Sequence, residues 1–255
     1  KDLETSLHNL KTDYVDIYQF HNPAVCPKPG DGSGLYEAML EAKEQGKIRF
    51  IGITNHRMSI AEEAIESGLY DTLQFPFNYL SAEREIALAK ACAEHEMGFI
   101  AMKGLSGGLL TNSAAIYAYM AQFENVLPIW GVQKESELDE FLSYIGNPPE
   151  LTDELKAVIE KDQKELAGEF CRGCGYCMPC PAGIEINNCA RMSLLLRRSP
   201  SAKHLSPEGQ AKMKKIEDCL HCGHCKSMCP YGLDTPKLLE ENYKDYKEVL
   251  AGKSL

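Results

Sequence analysis

Short apolar runs alternate with longer amphipathic stretches through the first half of the chain. The apolar runs, which are rich in β-branched and aromatic residues, cover residues 13–21, 48–55, 71–78, 98–104 and 126–132. The stretches between them carry apolar residues at helical spacing, over residues 34–46, 59–68, 81–97 and 114–123. Runs of the first kind are typical of buried strands and stretches of the second kind of amphipathic helices. The pattern therefore predicts five strands that alternate with helices.

Helix-end signals agree with this alternation. Ser59 stands three residues before Glu62, the spacing of a capping box at a helix start. Gly46, Gly68 and Gly98 each follow an amphipathic stretch and are predicted to end a helix, because glycine readily adopts the left-handed conformation that closes helices.

Alternating strands and helices imply parallel strands joined by right-handed crossovers, in either a doubly wound sheet or a (β/α) barrel. No G-x-G-x-x-G sequence follows any of the apolar runs, which disfavours the dinucleotide-binding doubly wound fold. Polar side chains end several runs instead, namely His21, Thr54, Asn55, Gln74, Asn78 and Lys103. Barrels place their chemistry at the carboxyl ends of the strands. These residues therefore favour a barrel.

Eight of the eleven cysteines lie in two short runs, CRGCGYCMPCP at residues 171–181 and CLHCGHCKSMCP at residues 219–230. The second run matches the C-x2-C-x2-C-x3-C-P pattern of bacterial iron–sulfur proteins, whose fourth cysteine ligates the other of two clusters. That logic groups Cys171, Cys174, Cys177 and Cys229 around one [4Fe-4S] cluster and Cys180, Cys219, Cys222 and Cys225 around a second. The first run departs from the pattern, because only two residues separate Cys177 from Cys180.

Other interpretations of the cysteines stay open. C-x2-C pairs also bind zinc, so a four-cysteine zinc site is an alternative to the clusters. Cys26, Cys92 and Cys189 stand outside the runs and are predicted to be small buried or loop residues. Helices are predicted over residues 134–146 and 152–168 before the cysteine region, and over 187–198, 208–219 and from Thr235 to about 250 within and after it.

The composition of the chain limits the classes of partner that it could bind. The 255 residues carry a net charge of −10, which argues against a nucleic-acid surface, and no apolar run is long enough to span a membrane. Clustered cysteines in a chain of this size indicate metal binding in a reducing compartment, so we expect a cytoplasmic protein. The chain begins with Lys1 in a sequence that already has a helical pattern. We expect it to be the C-terminal part of a longer protein.

Five segments resemble, in order, consecutive segments of the aldo-keto reductase family: SLHNLKTDYVDIYQFHNP, GKIRFIGITNH, DTLQFPFNYL, FIAMKGLSGGLL and LPIWGVQKESELDEF. The cysteine region resembles the ferredoxin-type domain that some members carry. The resemblance implies an α/β fold, with strands four to eight of a (β/α)8 TIM barrel over residues 1–150. A connecting helix over residues 151–168 and a small, mostly helical dicluster iron–sulfur domain over residues 169–250 would follow.

The resemblance also implies a function: hydride transfer between NADP or NAD and a small carbonyl or alcohol substrate, with the clusters exchanging single electrons. It makes His21 a catalytic residue and assigns Thr54, Asn55 and Gln74 to the nicotinamide carboxamide. Lys103 is a candidate for a phosphate or a substrate carboxylate. Lys134, the one basic residue in the segment GVQKESEL after the last strand, is a candidate for the cofactor phosphate. Glu135 and Glu137 beside it leave NADP against NAD open.

Several questions stay open at this point. The Asp, Tyr and Lys that complete the family's catalytic set lie before the first segment matched here, so this chain alone is expected to be inactive. Met102 stands where many members place an aromatic ring. An iron–sulfur electron carrier or docking module on a non-catalytic barrel is therefore an alternative function, and purely structural clusters are another. A flavin or a redox partner protein would be a way to couple hydride transfer to one-electron clusters.

Overall fold

The computed structural model describes residues 1–166 and 170–254. The strands are Val15–His21 (β1), Ile48–Thr54 (β2), Thr72–Pro76 (β3), Gly98–Met102 (β4) and Val126–Pro128 (β5). The helices are Asp2–Leu10 (α1), Leu35–Glu44 (α2), Met58–Ser67 (α3), Glu83–Glu94 (α4), Ser113–Met120 (α5), Glu135–Ser143 (α6), Asp153–Glu165 (α7), Ile186–Cys189 (α8), Met192–Arg198 (α9), Ala202–Leu205 (α10), Pro207–Lys214 (α11), His224–Ser227 (α12) and Thr235–Leu250 (α13), with a 3-10 turn at Lys215–Asp218. Each predicted strand is present.

The chain divides into two compact units. The first comprises Lys1–Met102 and Met120–Ile129, and therefore all five strands. The second comprises Lys103–Tyr119 and the chain from Trp130 onward. The domain boundaries at residues 150 and 168 stay a prediction.

The strands of the first unit form one parallel sheet in the order β1-β2-β3-β4-β5. Successive parallel neighbours joined by helices are the arrangement predicted for part of a (β/α) barrel. One face of this sheet is the core, where Ile53, Leu73 and Phe99 have no solvent exposure. Phe20 of β1 lies on the same face and contacts the rings of Tyr36 and Tyr70.

The opposite face of the sheet is more exposed and carries the polar residues. Side chains paired in register share a face of a sheet. One row across this face is Gln19, Gly52, Thr72 and Gly98, and the next row toward the carboxyl ends is His21, Thr54, Gln74, Ile100 and Leu127. Leu127 at the end of the second row is 64% exposed. The alternation of buried and polar residues along the strands thus separates a helix-covered face from a more polar and more exposed face.

Of the two glycines on this face, Gly52 has the less room for a side chain. A Cβ atom at Gly52 would lie 2.3 Å from Thr72 Oγ1 and 2.8 Å from Gln19 Cγ, whereas a Cβ at Gly98 in the same row would meet Thr72 Cγ2 at 3.5 Å, an ordinary contact. We expect Gly52→Ala to lower the free energy of unfolding by about 1–3 kcal/mol through overpacking. Gly98→Ala is the matched control and should cost clearly less. Urea unfolding of both variants checks this, and equal losses would contradict it.

Two helix-end predictions are wrong. Helix α3 begins at Met58, before Ser59, because Asn55 Oδ1 accepts hydrogen bonds from the backbone N–H groups of His56 and Arg57, both at 2.9 Å, and so forms the turn into the helix. Gly98 does not end α4 but begins β4. Gly68 closes α3 in the left-handed conformation, as predicted.

The second unit is mostly helical in the part that the structure describes. The predicted helix over 187–198 is two helices, α8 and α9, with a break at Ala190 and Arg191. Asn242 of α13 binds this break, because its Nδ2 donates to Ala190 O at 3.2 Å and its Oδ1 accepts from Ser193 N at 2.8 Å. Among the described helices, none is both long enough and apolar enough to cross a membrane.

Candidate functional site

The carboxyl end of the sheet brings three of the predicted residues together. His21 of β1 pairs in register with Thr54 of β2, and Thr54 pairs with Gln74 of β3. His21 is exposed, Thr54 is buried and Gln74 is half-buried. The three side chains therefore form a polar row across three neighbouring strands, in the position where barrels carry their chemistry.

Gln74 is held by a residue that the sequence did not single out. Gln19 Nε2 donates to Gln74 Oε1 at 3.0 Å, and Gln74 Nε2 lies 3.8 Å from Met102 Sδ. Gln19 Oε1 is shielded from solvent and has no hydrogen-bond partner among the described residues. An orphaned amide oxygen beside a second amide is a ready acceptor for a ligand N–H. The two-residue alternation in DIYQFH, which puts Gln19 on the face of His21, was the signal available for it.

Asn55 follows β2 and has no solvent exposure. Its Oδ1 receives the two N–H groups of the α3 turn, and its Nδ2 donates to Pro23 O at 2.9 Å. The amide that the resemblance assigns to the cofactor thus ties the β1 and β2 loops together in this structure.

The two lysine candidates belong to the second unit. Lys103 directly follows β4 and has a left-handed backbone with φ of 63°. Lys134 is exposed at the N-terminus of α6. There Glu137 Oε2 accepts from Gln133 N at 2.7 Å and from Lys134 N at 3.3 Å. A carboxylate therefore already caps the helix end that a cofactor phosphate would use.

The cysteines of the two runs line two separate cavities. The lining of one cavity includes Cys180, Cys219, Cys222 and Cys225. The lining of the other includes Cys171, Cys174, Cys177 and Cys229. Each cavity therefore combines three cysteines of one run with the last cysteine of the other. We call the cavity with Cys171 the first cysteine site and the cavity with Cys180 the second cysteine site.

The chemistry of these sites fits iron–sulfur clusters. Four cysteine thiolates around one cavity are the donor set that [4Fe-4S] clusters require. Among the described residues, no group of three or more His, Cys, Asp and Glu side chains converges on a position for a single metal ion. Burial raises the pKa of the Cys177 thiol to about 12, and nearby Cys171 and Cys174 add to this effect. Metal binding has to displace that proton.

The two runs repeat one backbone conformation. The second residue after the first cysteine has positive φ in both, 67° at Gly173 and 49° at His221. The glycine directly after the second cysteine has positive φ as well, 84° at Gly175 and 72° at Gly223. Positive φ values turn the backbone sharply at each C-x2-C pair. The internal repeat that the sequence indicates is therefore a structural repeat.

Comparisons with known proteins agree with both halves of this description. Residues 1–127 match the sequence model of the aldo/keto reductase family, and residues 170–234 match that of the 4Fe-4S dicluster domain. Methylglyoxal reductase DkgB of Salmonella typhimurium is 34% identical over 123 residues, which are 44% of this chain and 45% of that protein. The NADH-specific methylglyoxal reductase of Escherichia coli is 29% identical over 113 residues, 44% of this chain and 35% of that protein.

Solved structures support the fold. The holo form of an aldo-keto reductase from Bacillus halodurans superimposes with a TM-score of 0.54 over 66% of this chain and 67% of that one, at 20% sequence identity. The chain spans less than half the length of the curated relatives named above. Its part-barrel fold and its helical cysteine region are as predicted. Residues 1–127 of this chain belong to the aldo/keto reductase family, and they are followed by a 4Fe-4S dicluster domain over residues 170–234.

Proposed function

We propose that this chain is part of a nicotinamide-dependent oxidoreductase that transfers hydride between NADP or NAD and a small carbonyl or alcohol, and that its two cysteine sites handle single electrons. The observation that carries the proposal is the sorting of eight cysteines into two four-cysteine cavities in a chain that also bears a polar row at the carboxyl end of a barrel sheet. Each cavity would hold one [4Fe-4S] cluster, so the chain would carry two.

At the sheet, His21 would donate a hydrogen bond to the carbonyl oxygen of the substrate. That bond stabilises the negative charge which develops on the oxygen as hydride arrives. Gln74, with the unpartnered Gln19 Oε1 beside it, supplies the donor and acceptor that a nicotinamide carboxamide needs. Thr54 and Asn55 would complete this contact, Asn55 by exchanging one of its turn hydrogen bonds.

Lys103 and Lys134 would bind the phosphates of the cofactor. Because the Glu137 carboxylate caps the helix beside Lys134, an additional 2′-phosphate there would meet negative charge. This arrangement favours NADH over NADPH. Enzyme assays with both cofactors compare the two directly.

The second cysteine site is the more accessible of the two. Cys222 is exposed, and the Leu220 side chain, which also lines this site, is 65% exposed. Electron transfer to an external protein requires close approach to a cluster. We therefore assign contact with a redox partner protein to the second cysteine site. Electrons exchanged with that partner would pass through the cluster of this site first.

The reductase function predicts a specific loss at His21. In the full-length protein, loaded anaerobically and assayed for NADH or NADPH oxidation with methylglyoxal, we expect His21→Ala to lower kcat/KM roughly 10- to 100-fold, the value of one hydrogen bond to a charged group. His95→Ala, a substitution of an exposed histidine at the end of α4, is the matched control and should leave kcat/KM unchanged. Equal activity in the two variants would rule out this role for His21.

One alternative has support of its own. The amides of Asn55 and Gln74 are bonded within the protein, and Met102 takes the place of a stacking ring. Both features suit a barrel that serves as the scaffold of an electron carrier. Such a protein would take up both clusters and reduce them reversibly, yet would oxidise no nicotinamide cofactor with any carbonyl. The sequence upstream of Lys1 also separates the two functions, because the reductase requires an Asp, a Tyr and a Lys there.

A further inference from the structure

Arg191 lies at the break between α8 and α9, and its guanidinium lies against Gly173, two residues after Cys171 of the first cysteine site. A Cβ atom added at Gly173 would lie 2.8 Å from Arg191 Cζ and 3.0 Å from both terminal nitrogens, so the guanidinium lies flat on this glycine. The N–H of Gly173 donates to Cys171 Sγ at 3.4 Å. The backbone of Gly173 therefore lies between the Arg191 guanidinium and the Cys171 sulfur.

A second glycine lies against the same guanidinium. A Cβ at Gly107 would be 2.5 Å from Arg191 Nη1, and that nitrogen donates to Gly107 O at 3.4 Å. Arg191 Nε is buried and has no hydrogen-bond partner among the described residues. Burial raises the pKa of the Cys171 thiol, and the Gly173 N–H and the Arg191 charge act in the opposite direction. The positive charge of Arg191 therefore stabilises negative charge on the Cys171 sulfur.

Comparison of the two cysteine runs indicates that glycine at residue 173 makes room for Arg191 and is not needed for the backbone turn. His221 takes the matching position of the second run with the same sign of φ, so the backbone conformation alone does not require glycine there. A side chain at residue 173 would instead displace Arg191. The residue that matches Arg191 after the second run is the exposed Glu240. The first cysteine site therefore has a cation that the second lacks at the matching position.

We propose that Arg191 sets the reduction potential of the cluster in the first cysteine site by holding an uncompensated positive charge beside it. Among the residues that the structure describes, no carboxylate forms an ion pair with Arg191. Reduction adds one electron to the cluster and makes its net charge one unit more negative. A fixed positive charge stabilises the reduced state, so it raises the potential. This inference rests on the proposed function, because it needs a cluster in this site.

The test is a redox titration of the full-length protein with dithionite as the electron donor, followed by electron paramagnetic resonance. Arg191→Gln should make reduction of one cluster less favourable by about tenfold, a shift of about 59 mV to more negative potential for a one-electron couple. The transition of the other cluster should not move. Arg191→Lys keeps the charge and should restore a potential close to that of the unmodified protein.

Arg197→Gln is the matched control. Arg197 lies on α9, which follows Arg191 directly, but its charge is neutralised by two hydrogen bonds to Asp245, at 2.7 and 3.0 Å. Removing it should shift neither cluster. An unchanged potential in Arg191→Gln, or equal shifts in Arg191→Gln and Arg191→Lys, overturns the proposed role of the charge.

Failure to load the first site is also decisive. If Arg191→Gln takes up only one cluster while Arg191→Lys takes up both, the charge holds the cluster rather than setting its potential, and the proposal as stated fails. If both variants lose the cluster, Arg191 acts only through its shape and the proposal fails. An unmodified protein that holds no cluster contradicts the proposed function itself. Reducible clusters that ignore Arg191 contradict only this inference.

Discussion

Replacing Cys229 by alanine should empty the first cysteine site and spare the second, although Cys229 lies in the second run. The expected loss is half of the iron and half of the acid-labile sulfide, because Cys229 lines the cavity of Cys171, Cys174 and Cys177. The reason is geometric, since a thiolate can ligate only the cluster that it faces. Iron and sulfide analysis after anaerobic loading measures the loss.

Double variants identify the pairing. In the arrangement of the structure, each site takes three cysteines of one run and the last cysteine of the other. Cys174→Ala combined with Cys229→Ala then removes two ligands of the same site, so half of the iron should remain. If each run held its own cluster, the same double variant would lose all of it. Cys222→Ala combined with Cys229→Ala should conversely empty both sites, whereas it would empty only one if each run held its own cluster. Cys189→Ala is the control, because this buried cysteine lines neither cavity and its loss should cost no iron.

Replacing Arg198 by methionine should lower the free energy of unfolding by about 3–5 kcal/mol, the cost of removing one partner of a buried ion pair. Arg198 of α9 binds Asp162 of α7 through both terminal nitrogens, Glu165 at 3.1 Å and Leu109 O at 3.1 Å. The Arg198 and Asp162 side chains are 13% and 11% exposed. Without the guanidinium, the Asp162 carboxylate keeps the cost of burial and loses its strongest partner.

Arg84 offers a matched comparison for this ion pair. It also bonds a carboxylate through two nitrogens, that of Glu62, but the two side chains are 64% and 42% exposed. Arg84→Met should lower the free energy of unfolding far less than Arg198→Met does, because solvent screens an exposed ion pair. Guanidinium unfolding of both variants, followed by circular dichroism, compares them. A similar small loss for Arg198→Met would mean that the pair is not desolvated in solution.

Much of the fold was predictable from local pattern. The five strands and the helices between them follow from the spacing of apolar residues, because one face of each element has to be buried. The helix ends were less predictable, since Asn55 forms the turn into α3 and displaces the cap expected at Ser59. The same buried amide is a predicted cofactor contact. Competition between side chains for backbone N–H groups depends on the folded turn, which local spacing does not reveal.

The amino-acid sequence by itself determined the alternation of strands and helices, the residues at the strand ends and the two groups of cysteine donors. These properties depend on residue type and spacing within a few turns of chain. Only the tertiary structure decided that Cys180 reaches the second cysteine site in spite of its shorter spacing. It also decided that Gln19 holds Gln74 and that Arg191 lies on Gly173. Such contacts join residues far apart in sequence, so they arise from how the elements pack.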